Sequence, residues 1–171
     1  MLARVGAAWV LLAALWSPAP AGAASEATVC EVDWIITLDV AMTPTATVGN
    51  YTSGGETGVI VCDGEINGHL VTGAGTFGQD GAYGPGPGGG ADCNQGAAAG
   101  DYTATIPTDA GPQHISGPAT LYWFGPAGVM ADASFPGAFE VSFPTGDCRS
   151  EPAPQLHFHA RGVLVAEEAG G

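Results

Sequence analysis

From Cys30 to Val40 the side chains alternate with period two: Cys30, Val32, Trp34, Ile36, Leu38 and Val40 are apolar, and Glu31, Asp33, Thr37 and Asp39 stand between them. A strand turns successive side chains to opposite faces, so this run buries one face and wets the other. A helix would gather only Val29, Val32 and Ile36 on one side, and the β-branched content disfavours it. A chain built on such a strand has to supply partner strands.

The stretch from Gly58 to Gly78 supplies a hairpin. Val59-Ile60-Val61 and Leu70-Val71-Thr72 flank Asn67-Gly68, a dipeptide that accepts the two positive φ values of a type I′ turn. Closing that turn sets Ile66 opposite His69, Glu65 opposite Leu70, Gly64 opposite Val71 and Cys62 opposite Gly73. Glycines at 64, 73 and 75 mark bulges, bends or close backbone approach. Further strands are expected at Thr45 to Thr52, Tyr102 to Ile106, Ala119 to Phe124, Val129 to Phe135, Ala138 to Phe143 and Leu156 to Ala166, with glycine or proline in almost every gap. No segment after the N-terminal apolar run reads as a helix.

Short strands with turn residues between them define an all-β domain. Glycines within strands suit a sheet that curls, and closure removes the edges of a rather apolar set of strands. The expected architecture is therefore a small antiparallel β-barrel stapled by disulfides, with an antiparallel β-sandwich as the alternative. Between the hairpin and Tyr102, residues 78–100 include Gly84-Pro85-Gly86-Pro87-Gly88-Gly89-Gly90 and read as an exposed glycine-rich loop pinned by Cys93. The tail, Glu167 to Gly171, is expected to fray.

Met1 to Arg4 carries one positive charge, Val5 to Trp16 is apolar, and Ser17-Pro18-Ala19-Pro20 breaks that run ahead of Ala21-Gly22-Ala23. These are the three regions of a secretory signal peptide, expected over 1–23 and followed by a single exported domain at 24–171. The apolar run falls well short of the roughly 20 residues that span a bilayer, so no transmembrane span is expected in the mature chain. The expected location is secreted or extracytoplasmic.

Beyond the signal peptide only Arg149 and Arg161 face 17 carboxylates, and there is no lysine. Neutralising phosphates takes clusters of Lys or Arg, so nucleic acid and anionic lipid are excluded as partners. The acidity serves solubility, with a Ca²⁺ or cationic-ligand site as the less favoured use. Cys30, Cys62, Cys93 and Cys148 suit two disulfides in an oxidising compartment, and four cysteines allow three connectivities. The favoured pairing joins Cys62 with Cys93 and Cys30 with Cys148.

Gly73-Ala74-Gly75-Thr76-Phe77-Gly78 matches the spacing of a dinucleotide-binding loop, but Gln79 to Pro85 cannot open the helix that holds the pyrophosphate. His157 and His159 have metal-ligand spacing, because residues two apart on a strand share a face. Zinc or copper needs a third donor, which His69, His114 or Glu151 could supply. Gln155-Leu156-His157-Phe158-His159 resembles the zinc strand of α-type carbonic anhydrases, without the Trp-Gly that follows there or a downstream histidine. It also resembles the His-x-His of cupins, without a glutamate four or five positions on. Leu121-Tyr122-Trp123-Phe124 puts aromatic rings on both faces of one strand, which makes Tyr122 and Trp123 candidate ligand contacts. Asn50-Tyr51-Thr52 is a glycosylation sequon.

There is no Gly-x-Ser-x-Gly elbow, no His-Glu-x-x-His and no Walker lysine. The function expected from sequence is a non-catalytic secreted β domain that binds a small ligand, a glycan or a protein, with no cofactor. The alternatives are a metal-binding protein or metalloenzyme using His157 and His159, and a structural, envelope-associated protein.

Overall fold

The first strand forms where the alternation predicts it. In the computed structural model, which describes residues 27–84, 91–132 and 134–165, β1 spans Thr28–Met42 and buries Cys30, Val32, Trp34, Ile36 and Leu38. The pattern breaks at Val40, which is exposed, where the ladder to the last strand loses register between Thr37 and Met42. The expected signal peptide at 1–23, the tail at 167–171 and the Gly-Pro-rich residues 85–90 lie outside the described residues.

Ten more strands follow: β2 (Gly49–Thr52), β3 (Gly58–Asp63), β4 (Glu65–Ile66), β5 (His69–Leu70), β6 (Gly75–Gly84), β7 (Gln95–Thr108), β8 (Gly111–Phe124), β9 (Ala127–Met130), β10 (Gly137–Ser142) and β11 (Ala153–Leu164). Among the described residues there is no helix. Every pairing is antiparallel, the main sheet runs β11-β10-β9-β8-β7-β6-β2-β1-β3, and β11 also pairs with β1 while β6 also pairs with β3. The ladder therefore returns on itself as a ring. β2 and β3 both lie between β1 and β6, one beyond the other, and act as one strand interrupted at 53–57. The all-β, antiparallel, disulfide-linked class expected from sequence holds.

A ring of about eight strand positions leaves an interior just wide enough for side chains to fill, or for one small ligand. Among the described residues, side chains fill it. Trp34 stacks on Phe158 with centroids 4.8 Å apart and meets Phe77 edge-on at 5.2 Å, while Phe139 packs edge-on to Phe158 at 5.3 Å. The chain of rings continues from Phe77 through Tyr102 to Phe135. A cavity of about 10 Å³ lies among Phe77, Gln79, Tyr102 and Asp132, room for about one water.

The Asn67-Gly68 turn forms as predicted, with φ of 52° and 76°, Glu65 opposite Leu70 and Ile66 opposite His69. The longer hairpin does not. Gly64 takes a φ of 124°, and Cys62 lies opposite Cys30 rather than Gly73. β4 and β5 are thus a small flap whose Ile66 is buried, and the true partner of β3 across the flap is β6, with Ile60 opposite Gly75. A Cβ on Gly75 would overlap the carbonyl of Thr105, so glycine is what lets the three strands close here.

This register overturns the expected disulfides. Cys30 bonds Cys62, directly across the β1/β3 ladder, and Cys93 bonds Cys148, joining the β6–β7 and β10–β11 connections at the opposite end. The favoured pairing of Cys62 with Cys93 and Cys30 with Cys148 took the hairpin as a local unit, whereas the partner of Cys62 is set by a strand far away in sequence. The loop expected at 78–100 is also shorter. Residues up to Gly84 belong to β6 and residues from Gln95 to β7, which pair from Thr76↔Thr105 to Gly84↔Ala97. A backbone ladder orders this stretch where side-chain burial alone could not. The strand expected at Val129 to Phe135 is confined to β9, and that at Thr45 to Thr52 shrinks to β2 plus a bridge from Thr47 to Ala91.

Candidate functional site

Among the described residues side chains fill the interior, and the clustered chemistry-bearing side chains lie on the outer wall. The ladder registers place them in rows. One row crosses seven strands as Gln95, Phe124, Ala127, Glu140, His159, Asp33 and Val59, each directly opposite the next. A neighbouring row carries Ala97, Tyr122, Val129, Ala138, Arg161 and Glu31.

His157 and His159 project from one face of β11, as their spacing predicts. Asp33 on β1 lies between them: its Oδ1 is 2.9 Å from His157 Nε2 and its Oδ2 is 3.6 Å from His159 Nδ1. Ser142 on β10 reaches 3.5 Å from His157 Nδ1. Arg161 and Glu31 continue the charged strip at 4.0 Å. None of the donors weighed from sequence joins the pair. His69 instead faces Asp109 at 3.7 Å, His114 Nδ1 lies 2.9 Å from the Thr105 hydroxyl, and Glu151 donates its backbone N–H to Asp147. Among the described residues, no group of three or more His, Cys, Asp and Glu is arranged to hold a metal ion.

Ser142, His157 and Asp33 form a hydrogen-bonded line that resembles the parts of a nucleophilic relay. The line stands on the outer wall, where among the described residues nothing encloses a substrate or points paired N–H donors at a developing oxyanion. What it does offer is an array of donors and acceptors held in register by the ladder.

The aromatic candidates separate by parity. Trp123 faces inward, is buried, lies over Gly96, and donates its indole N–H to the Asp92 carbonyl at 3.4 Å. It is a core residue and not a ligand contact. Tyr122 faces outward and is half-buried, and Phe124, two positions on, is 70% exposed. Val129 stands opposite Tyr122 and is exposed, and Ala97, Ala127 and Ala138 keep the surroundings low. Sequence gave no reason to prefer Phe124, since both faces of this strand are apolar.

Two other polar groups are structural. Inside the ring the Gln79 amide donates to the Tyr51 hydroxyl at 3.0 Å, and burial pushes the Tyr51 phenol well above its ordinary pKa, with the carboxylates of Asp80, Asp101 and Asp132 adding to the shift. At the sequon, Asn50 is exposed but holds Asp39 through both its backbone and side-chain nitrogens, at 2.7 and 2.9 Å, which lowers the Asp39 pKa. No protein-family model, curated protein or solved structure matches this chain.

Proposed function

We propose that this chain is an exported, non-catalytic binding module that holds a neutral glycan against the outside of its ring of strands. The observation that supports this reading is the exposed Phe124, paired with Tyr122 on the outer face of β8 in a surround of alanines. Residues two apart on a strand are separated by roughly 6.5 Å, so two rings present an apolar strip on which sugar faces stack. Along the same row Glu140 and His159 follow Phe124 two and three strands on, roughly 10 and 14 Å away at the usual strand spacing. They supply hydrogen-bonding groups for sugar hydroxyls. The filled interior favours an external ligand over an enclosed one, and the excess of carboxylates disfavours an anionic glycan.

Co-sedimentation of the mature protein with insoluble neutral polysaccharides tests the reading. Retention that Phe124→Ala abolishes and that Val61→Ala, on the far side of the ring, leaves intact is the expected result. No retention on any neutral polysaccharide would leave the structural, envelope-associated role as the better account.

A second reading keeps His157 and His159 as ligands for zinc or copper. Asp33 lies against both imidazoles and is the nearest third donor, although the three groups are not arranged to hold a metal ion as they stand. A cation would have to replace the present hydrogen bond between Asp33 and His157. Metal content after dialysis against trace zinc and copper tests it, and a content unchanged in His157→Ala/His159→Ala would remove it.

A further inference from the structure

The ring is closed by a short strand, and this leaves one edge open. β8 pairs with β7 along its whole length, from Gly111 to Phe124, but with β9 only from Leu121 to Phe124. At Thr120 the backbone N–H reaches Asp132 and the carbonyl accepts from Ala131 N–H, so both point to the β9 side. In an antiparallel strand such groups alternate with period two. The N–H and carbonyl groups of His114 and Ser116, and the carbonyls of Pro112 and Pro118, therefore face the same side. Among the described residues nothing pairs with them there.

Pro112 and Pro118 stand opposite Pro107 and Asp101 in the ladder, and both occupy positions whose missing N–H would have pointed outward. An open edge invites another strand, and prolines restrict which one. The sequence Pro112-Gln113-His114-Ile115-Ser116-Gly117-Pro118 is symmetric in its prolines about Ile115. When this segment is laid antiparallel on itself, His114 of one copy falls opposite Ser116 of the other, both ways round. Each such pair exchanges two backbone hydrogen bonds. At each end a proline meets a proline and neither donates, so the new ladder is confined to the bonds of His114 and Ser116.

The window also carries no carboxylate, in a chain that has 17 of them. Two acidic copies therefore approach here with least repulsion. We infer that the open edge of β8 is a self-association site, at which two copies join edge to edge through His114 and Ser116 about a two-fold axis at Ile115. A two-fold contact uses the same patch on both partners, so association through this edge stops at the dimer. A contact made by two short segments falls below the size of a stable interface, so the dimer is a weak one. Asp101 beside Pro118 and Asp132 beside Thr120 flank the strip, so added salt should strengthen the dimer by screening them.

Sedimentation equilibrium on the mature protein from about 10 μM to 1 mM, with amide hydrogen exchange at both ends of that range, tests the inference. In dilute solution Gln113, Ile115 and Gly117, whose N–H groups face β7, should be protected, and those of His114 and Ser116 should exchange freely. At high concentration the mass should move towards the dimer and His114 and Ser116 should become protected. Ser116→Pro should hold the protein monomeric, and Ser116→Ala, which keeps the N–H, should not. A mass that stays monomeric to 1 mM would overturn the inference. So would a dimer in which His114 and Ser116 exchange as fast as in the monomer. The exchange measurement needs no variant, so it decides the matter even if Ser116→Pro fails to fold.

Discussion

Asp147 shows how much order one exposed carboxylate can impose on a turn. Its Oδ1 accepts the backbone N–H groups of Arg149, Ser150 and Glu151, and its Oδ2 accepts the Ser150 hydroxyl. These donors hold its pKa well below the ordinary carboxylate range. They also fix the turn in which Cys148 takes a φ of 61° to reach Cys93. A depressed carboxylate contributes stability that is fully present above the unfolded pKa near ~4 and is lost as pH falls towards the folded value. Denaturation midpoints of wild type and Asp147→Ala should therefore differ most at neutral pH and converge below about pH 4. Gly96 is the corresponding case in the core, because a Cβ there would overlap the Trp123 ring. Gly96→Ala should cost about 1–3 kcal/mol by overpacking. Its signature would be a shift in tryptophan fluorescence together with altered near-ultraviolet dichroism.

At the scale of the element, sequence was informative wherever the signal was local. The alternation in β1 and the Asn67-Gly68 turn carry their own geometry, since each depends on neighbours a few residues away. The shared face of His157 and His159 follows from the same rule. Asp33, which completes that cluster, stands 124 residues from His157 in sequence, and only the β1/β11 register brings them together. Register is equally what separates Trp123 from Phe124, because an apolar run on both faces does not say which one is inside. The glycine-rich stretch was misread for a related reason: Gly81 and Gly100 sit opposite one another in the β6/β7 ladder. A Cβ on Gly100 would overlap the carbonyl of Asp80, so these glycines permit close strands there instead of marking a loop. The disulfides make the point testable. Peptide mapping without reduction should recover Cys30 with Cys62 and Cys93 with Cys148. With their cysteines 32 and 55 positions apart in sequence, each bridge is worth about 4 kcal/mol on the chain-entropy model. Chemical denaturation of Cys93→Ala/Cys148→Ala should show a loss of up to that size.

For the molecule as a whole, the β1/β11 ladder is the contact that makes a ring out of a meander. It runs from Thr28↔Leu164 to Thr37↔Gln155, so the first and last strands are next-door neighbours. Until the last strand arrives, Trp34 lacks the Phe158 ring that covers it. Pairings this distant in sequence are slow to form. Thr28 and Leu164 emerge side by side on one rim, so a short linker could join them. The chain could then be opened at 53–57, where the strand between β1 and β6 is already interrupted. Such a circular permutant would keep every rung of the ladder and turn the slow closing contact into a hairpin made early. It should reach the same fold faster, with β2 and β3 meeting last.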